Sequence, residues 1–330
     1  MFFAQNELHN VEELLINPNG DGKIFSRVPN NIRTRLNENA QINALQTTGC
    51  EIRFNLEGPQ VTITLQSPEG PALVEVFQGD FFSTIHTIDS TPTSIQVGHP
   101  DSQKLMRNVT PSNARFDTEL TRIVLPWRPS IRLLEIEGDT SKPRSDQTPN
   151  TRYLAYGSSI THGSTTIRPT GTYPCRTAEL MGTDLFNLGF GGGAHMESEM
   201  ADYIAQRSDW DIATLEMGIN VVEKFTEEQF RRAVQYFVTT IVEAHPNQWI
   251  FCIDIFPCIY DFIGNKKVEV FRSIVAEQVR ELNRPRLFHI GGDSLLRSNT
   301  GLTTDLVHPG PAGFEEMAHN LADIIRNQIT

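Results

Sequence analysis

The chain has 330 residues, 38% hydrophobic and 21% charged, with a formal net charge of -12. That length and composition provide for more than one apolar core and give no sign of disorder, and the acidic balance argues against a surface for nucleic acid or an anionic membrane, which needs clustered Lys and Arg. The N-terminus Met-Phe-Phe-Ala-Gln-Asn-Glu lacks a basic stretch and a long apolar one, and no apolar run is long enough to span a bilayer, so the expected location is the cytoplasm. Cys50, Cys175, Cys252 and Cys258 match no zinc or redox spacing and read as buried, reduced thiols.

The first fifty residues read as irregular, with turn clusters at Asn17-Pro18-Asn19-Gly20-Asp21-Gly22 and Pro29-Asn30-Asn31. From Cys50 the pattern becomes strand. Ile52, Phe54 and Leu56 alternate with polar residues, and Val61, Ile63 and Leu65 repeat the alternation after the Glu57-Gly58-Pro59 turn, as in hairpin strands with one buried face. Further short runs at 73–77, 82–88, 94–97, 121–125 and 131–136 predict an all-β sandwich or jelly roll. The aromatic pairs Phe2-Phe3 and Phe81-Phe82 read as core packing. Residues 138–150 are polar and proline-punctuated and read as an exposed linker, which divides the chain into an N-terminal β-domain over 1–148 and a second domain over 149–330.

Beyond the linker, strands and helices alternate. Runs at 153–156, 185–188, 212–217, 249–256 and 287–290 are apolar on both faces, as in a parallel sheet covered on two sides. Between them Thr226 and Gln229 form a capping box for a helix that lines up Phe230, Val234, Phe237, Val238 and Ile241, and further helices are expected over 267–282 and 312–329. The expected fold class is α/β, a three-layer α/β/α domain of about five parallel strands.

Four stretches at strand ends or before the last helix carry chemistry. Gly157-Ser158-Ser159-Ile160-Thr161 offers a serine nucleophile on a sharp turn after the first strand, which acts only if a base takes its proton. Asn187-Leu188-Gly189-Phe190-Gly191-Gly192-Gly193 leaves backbone N–H groups open to a ligand, and Gly218-Ile219-Asn220 puts an amide at a strand end. Asp305-Leu306-Val307-His308 places an acid three residues before a histidine, where it can orient the ring and leave the other nitrogen as base. The glycine run does not fit a dinucleotide loop, because Asp211 falls before its strand. His162, His195 and His308 have no paired spacing for a metal, and Asp254 reads as a charged strand-end residue facing water.

In this order the four stretches resemble the consensus blocks of the SGNH (GDSL) hydrolase family, over residues 151–330. The resemblance implies Ser159 as nucleophile, His308 as base, Asp305 as orienting acid, and Ser159, Gly192 and Asn220 as oxyanion donors. His162, Gly191 and His195 would line the substrate pocket. Two positions depart from the pattern: Ser158 stands where the family often has aspartate, and Val221 follows Asn220 where aspartate is frequent. The β-domain is similar to the module that precedes the catalytic domain in certain carbohydrate esterases and in an acyltransferase of polyketide tailoring. Together these imply a cofactor-free, metal-free serine ester hydrolase with a small-molecule acyl ester as partner, acylated carbohydrate included. An acyltransferase using the same triad and a non-catalytic binding module are the alternatives, and the oligomeric state is not legible.

Overall fold

The alternating runs after Cys50 become strands of two antiparallel sheets in the computed structural model of the chain, which describes residues 1–18 and 20–329. One sheet is ordered Phe2–Phe3, Asn6–His9, Glu51–Leu56, Leu120–Val124, Ala72–Gln78 and Phe81–Ile88, with Thr140–Ser141 also paired to Glu51–Leu56. The other is ordered Glu13–Ile16, Lys23–Ser26, Arg132–Glu137, Gln60–Gln66 and Thr93–Gly98. Ile52 and Phe54 from the first and Val61, Ile63, Leu65 and Ile95 from the second meet in one buried core, the packing of a sandwich.

Several expectations change here. The first fifty residues are not irregular: four short strands in that stretch join both sheets, and segments such as Lys23-Ile-Phe-Ser carry too few apolar residues to show a period before longer partners pair with them. Asn19, within the first turn cluster, and Thr330 lie outside the described residues. The predicted linker is largely exposed but pinned at two points, where Thr140–Ser141 is a strand and buried Gln147 exchanges hydrogen bonds of 2.7 and 3.0 Å with Asn55. Phe2 and Phe82 are each 50% exposed and so are not core residues.

The apolar runs of the second half form a five-stranded parallel sheet ordered Asp184–Gly189, Arg152–Gly157, Ile212–Glu216, Trp249–Ile253 and Leu287–Ile290. Helices Tyr173–Met181 and Pro311–Ile329 cover one face, and Ser198–Gln206, Glu227–Ala244 and Lys266–Leu282 cover the other. The chain order reverses between the strands Arg152–Gly157 and Ile212–Glu216, so the crevice at their carboxyl ends is where such a sheet takes a ligand. The Thr226 capping box forms as expected, with Gln229 N–H 3.2 Å from Thr226 Oγ1 and Thr226 N–H 2.8 Å from Gln229 Oε1.

The polar residues of Glu51–Leu56 are buried rather than facing water, and Arg53 reaches the second half of the chain. Arg53 donates to both carboxylate oxygens of Asp184 at 2.8 and 2.7 Å, and Glu51 accepts from Arg53 and Arg122. Val28, Leu36, Ala40 and Ala44 enter the same core as Leu154 and Tyr156 of the parallel sheet. The four cysteines are free, and burial pushes the thiols of Cys50 and Cys175 up to about 12 and about 11. Among the described residues no helix is long and apolar enough to cross a membrane.

Candidate active site

Ser159 opens a single helical turn, Ser159–His162, immediately beyond the strand Arg152–Gly157. Gly157 allows the turn to close: a Cβ there would collide with Thr161 and Glu216. The Ser158 N–H donates to Glu216 Oε2 at 2.5 Å, and the Ser158 side chain accepts from Ile160 N–H at 3.2 Å. These two bonds fix the backbone on either side of the Ser159 hydroxyl.

His308 comes from the loop before the last helix and places Nε2 2.8 Å from Ser159 Oγ. Its Nδ1 lies 2.7 Å from Asp305 Oδ2. A carboxylate on Nδ1 holds the ring proton there and leaves Nε2 to accept from the serine hydroxyl. Asp305 Oδ1 accepts from the N–H groups of His308 and Val307 at 2.9 and 2.8 Å and from Thr303 Oγ1 at 2.9 Å. Partial burial pushes this carboxyl up, but the bonds from His308 and its neighbours prevail and hold it well below the usual carboxylate range.

Asn220 and the glycine loop complete the site. Asn220 Oδ1 accepts from Ala194 N–H at 3.1 Å, which commits the oxygen and turns the amide so that Nδ2 is the free donor. Gly192 has φ +67°, a left-handed value that favours glycine. The helix Glu38–Asn43 of the N-terminal half holds this loop from outside. Asn43 accepts from Gly191 N–H at 2.9 Å and donates to Gly191 O at 3.0 Å, Asn39 donates to Gly192 O at 3.2 Å, and the N-cap Asn37 donates to Gly193 O at 2.9 Å. Fully buried Arg27 lies beneath, donating to the carbonyls of Asn43, Gln46, Asn187 and Gly189 at 2.7 to 2.8 Å. Burial lowers its guanidinium to about 10, so it stays charged at neutral pH.

Sequence reasoning missed Arg27, Asn37, Asn39 and Asn43, because their segment has no apolar period; the asparagine spacing was the available signal. The cleft itself is a cavity of about 440 Å³ in which Ser159, His308, Gly191, Gly192 and Asn220 meet Asn43, Gln46, Trp127 and Arg128. His162 does not line it. The ring is buried, with Nε2 2.9 Å from Trp127 O, and burial lowers its pKa to about 3. His195 also lies outside the lining, where Lys224 Nζ donates to its Nε2 at 3.0 Å. Asp254 does not face water: it is buried and accepts from His289 Nε2 at 2.8 Å and Gly292 N–H at 2.7 Å, away from His308. Among the described residues no group of three or more His, Cys, Asp or Glu is placed to hold a metal ion.

Residues 151–326, just over half of the chain, match the model of the GDSL-like Lipase/Acylhydrolase family. No curated protein matches the sequence. Among solved structures, the salicylyl-acyltransferase SsfX3 from a tetracycline biosynthetic pathway is similar at TM-score 0.81 and 18% identity, over 98% of this chain and 94% of that one. A candidate GDSL-like lipase from Bacteroides ovatus gives TM-score 0.73 and 20% identity, over 98% of this chain and 97% of that one. A family two carbohydrate esterase from Clostridium thermocellum, solved with cellohexaose, gives 0.62 and 14%, over 86% and 94%. At these identities the likeness is one of fold.

Proposed function

The chain belongs to the GDSL-like lipase/acylhydrolase family, and from that premise we propose that it is a serine ester hydrolase acting on short acyl esters, acetylated carbohydrate among them. The observation that carries the proposal is the continuous chain Ser159 Oγ, His308 Nε2, His308 Nδ1, Asp305 Oδ2, with links of 2.8 and 2.7 Å. His308 takes the proton of Ser159 as its oxygen attacks the ester carbonyl. The oxyanion is met by the N–H groups of Ser159 and Gly192 and by Asn220 Nδ2, and the alcohol leaves with the proton from His308. Water, activated by the same histidine, then releases the acid from the serine ester.

Transfer to an acceptor hydroxyl is the second reading. It is favoured by a neighbouring cavity of about 640 Å³ that shares Gln46, Trp127 and Arg128 with the cleft and is large enough for an acceptor. The test is intact mass after a fluorophosphonate serine probe, with turnover of an acetyl ester, on wild type and Ser159→Ala. One adduct and turnover are expected in wild type and neither in the variant; an adduct that survives the substitution would sink the assignment of the nucleophile. Added alcohols that divert product at fixed ester consumption would select the transferase.

A further inference from the structure

Among the described residues, Arg128 is the one permanently charged side chain that lines the cleft around Ser159, in a protein whose net charge is -12. No described residue forms an ion pair or hydrogen bond with its guanidinium, which lies over the Trp127 ring 4.9 Å from the centroid. That platform is fixed: Trp127 Nε1 donates to Thr166 O at 3.4 Å, and Trp127 O accepts from buried His162 Nε2 at 2.9 Å. A guanidinium held on an aromatic face keeps its edge N–H groups free, and their geometry matches the two oxygens of a carboxylate.

Arg128 stands where the cleft passes into the second cavity. The other charged residues of that cavity are Arg168, already paired with buried Glu75 at 2.5 Å, and Glu69. Trp127 borders both cavities, whereas the apolar Ile219, Tyr260 and Val307 line the cleft alone and suit an uncharged acyl group. The alcohol part of an ester therefore falls on the Arg128 side. We infer that Arg128 selects esters whose alcohol carries a carboxylate, such as acylated hydroxy acids or acidic sugars. This specificity rests on the proposal that Ser159 is the nucleophile.

The test compares kcat/KM for 4-acetoxybenzoate and 4-acetoxybenzamide, which differ in one charge, on wild type, Arg128→Gln and Arg128→Lys. Wild type should prefer the charged ester, and the ratio of the two should fall roughly 10- to 100-fold in Arg128→Gln, with Arg128→Lys in between. An unchanged ratio in Arg128→Gln overturns the inference. Calorimetric binding of 4-acetoxybenzoate to the Ser159→Ala protein, with and without Arg128→Gln, gives a readout independent of turnover. Turnover surviving Ser159→Ala would defeat the nucleophile alone, whereas carboxylate binding that ignores Arg128 would defeat the specificity alone.

Discussion

Glu216 lies beneath the turn that presents Ser159, yet nothing in its sequence context distinguishes it from a core strand residue. Its Oε2 accepts from Ser158 N–H and from Thr161 Oγ1 at 3.1 Å, whereas buried Oε1 has no partner. Desolvation raises its pKa against the pull of the Ser158 bond. The carboxylate also interacts electrostatically with His308, and a negative charge there favours the imidazolium formed during attack. Glu216→Gln keeps an acceptor for Ser158 and removes the charge. Loss of a carboxylate that favours the imidazolium should lower kcat by up to about tenfold with KM little changed. Stability should respond in the opposite sense. An acid whose folded pKa is raised contributes stability that is present below its unfolded pKa and lost as pH rises through the folded one, so at neutral pH the Gln variant should melt no lower than wild type. A kcat equal to wild type would remove Glu216 from the chemistry. Asp305, held low by its hydrogen bonds, remains ionised through the mildly acidic range. Asp305 should therefore add no ionisation of its own to the acid limb of kcat/KM, and Asp305→Asn should lower kcat on the order of 10² to 10⁴-fold by releasing the ring tautomer.

At the scale of elements, the helix Glu38–Asn43 holds the proposed oxyanion loop through Gly191, Gly192 and Gly193. Asn43→Ala removes both bonds to Gly191 and loosens the aim of the Gly192 N–H, leaving the Asn39 and Asn37 bonds to hold the loop. Because aimed donors act on the transition state more than on bound substrate, kcat should drop roughly 10- to 100-fold while KM stays within about threefold. Equal losses in binding and turnover would instead mean that the helix shapes the substrate pocket. This helix was not legible in the sequence and Glu227–Ala244 was, for a physical reason. The longer helix shows a 3.6-residue apolar stripe and a capping box, whereas Glu38–Asn43 has six residues and one buried side chain, Ala40. The strand Glu51–Leu56 was half legible. Alternation located Ile52 and Phe54 in the sandwich core, but a polar face looks the same in sequence whether it meets water or a second layer, and here Arg53 meets Asp184. The candidate residues Ser159, Asn220 and His308 stand out in the sequence because each lies in a short, ordered block just after a strand or before a helix. Arg27, Asn43 and Arg128 come from the other half of the chain, joined to the site by topology alone.

For the whole molecule, the contact between the halves sets the response to acid. Arg53 and Asp184 form a buried bidentate pair, and His9 beside them places Nε2 2.6 Å from Leu185 O. Desolvation and then the Arg53 charge lower the pKa of His9, and desolvation likewise lowers that of His162. Both rings bind their proton less tightly folded than in the unfolded chain, which takes it up below about pH 6.5, so stability falls as pH drops from there, by up to about 1.4 kcal/mol per pH unit for each. Proton uptake by folded Glu216 works the other way and offsets part of this loss. Asp184 follows the opposite rule for an acid. Burial pushes it up, Arg53 more than reverses that, and its depressed pKa contributes stability present above about pH 4 and lost as pH falls further. We propose that the units 1–148 and 149–330 unfold together, because this network and the packing of Val28, Leu36 and Ala40 on the parallel-sheet core tie them. Calorimetric melts from pH 8 to pH 3 should show one transition whose midpoint declines below about pH 6.5 and steepens below about pH 4. Asp184→Asn, which leaves buried Arg53 with Glu51 as its close carboxylate partner, should cost roughly 1.5 to 3 kcal/mol at pH 7 and flatten the lower part of that curve. Two separable transitions in wild type would refute the coupling, and a midpoint level between pH 5 and pH 7 would remove the buried histidines from the account.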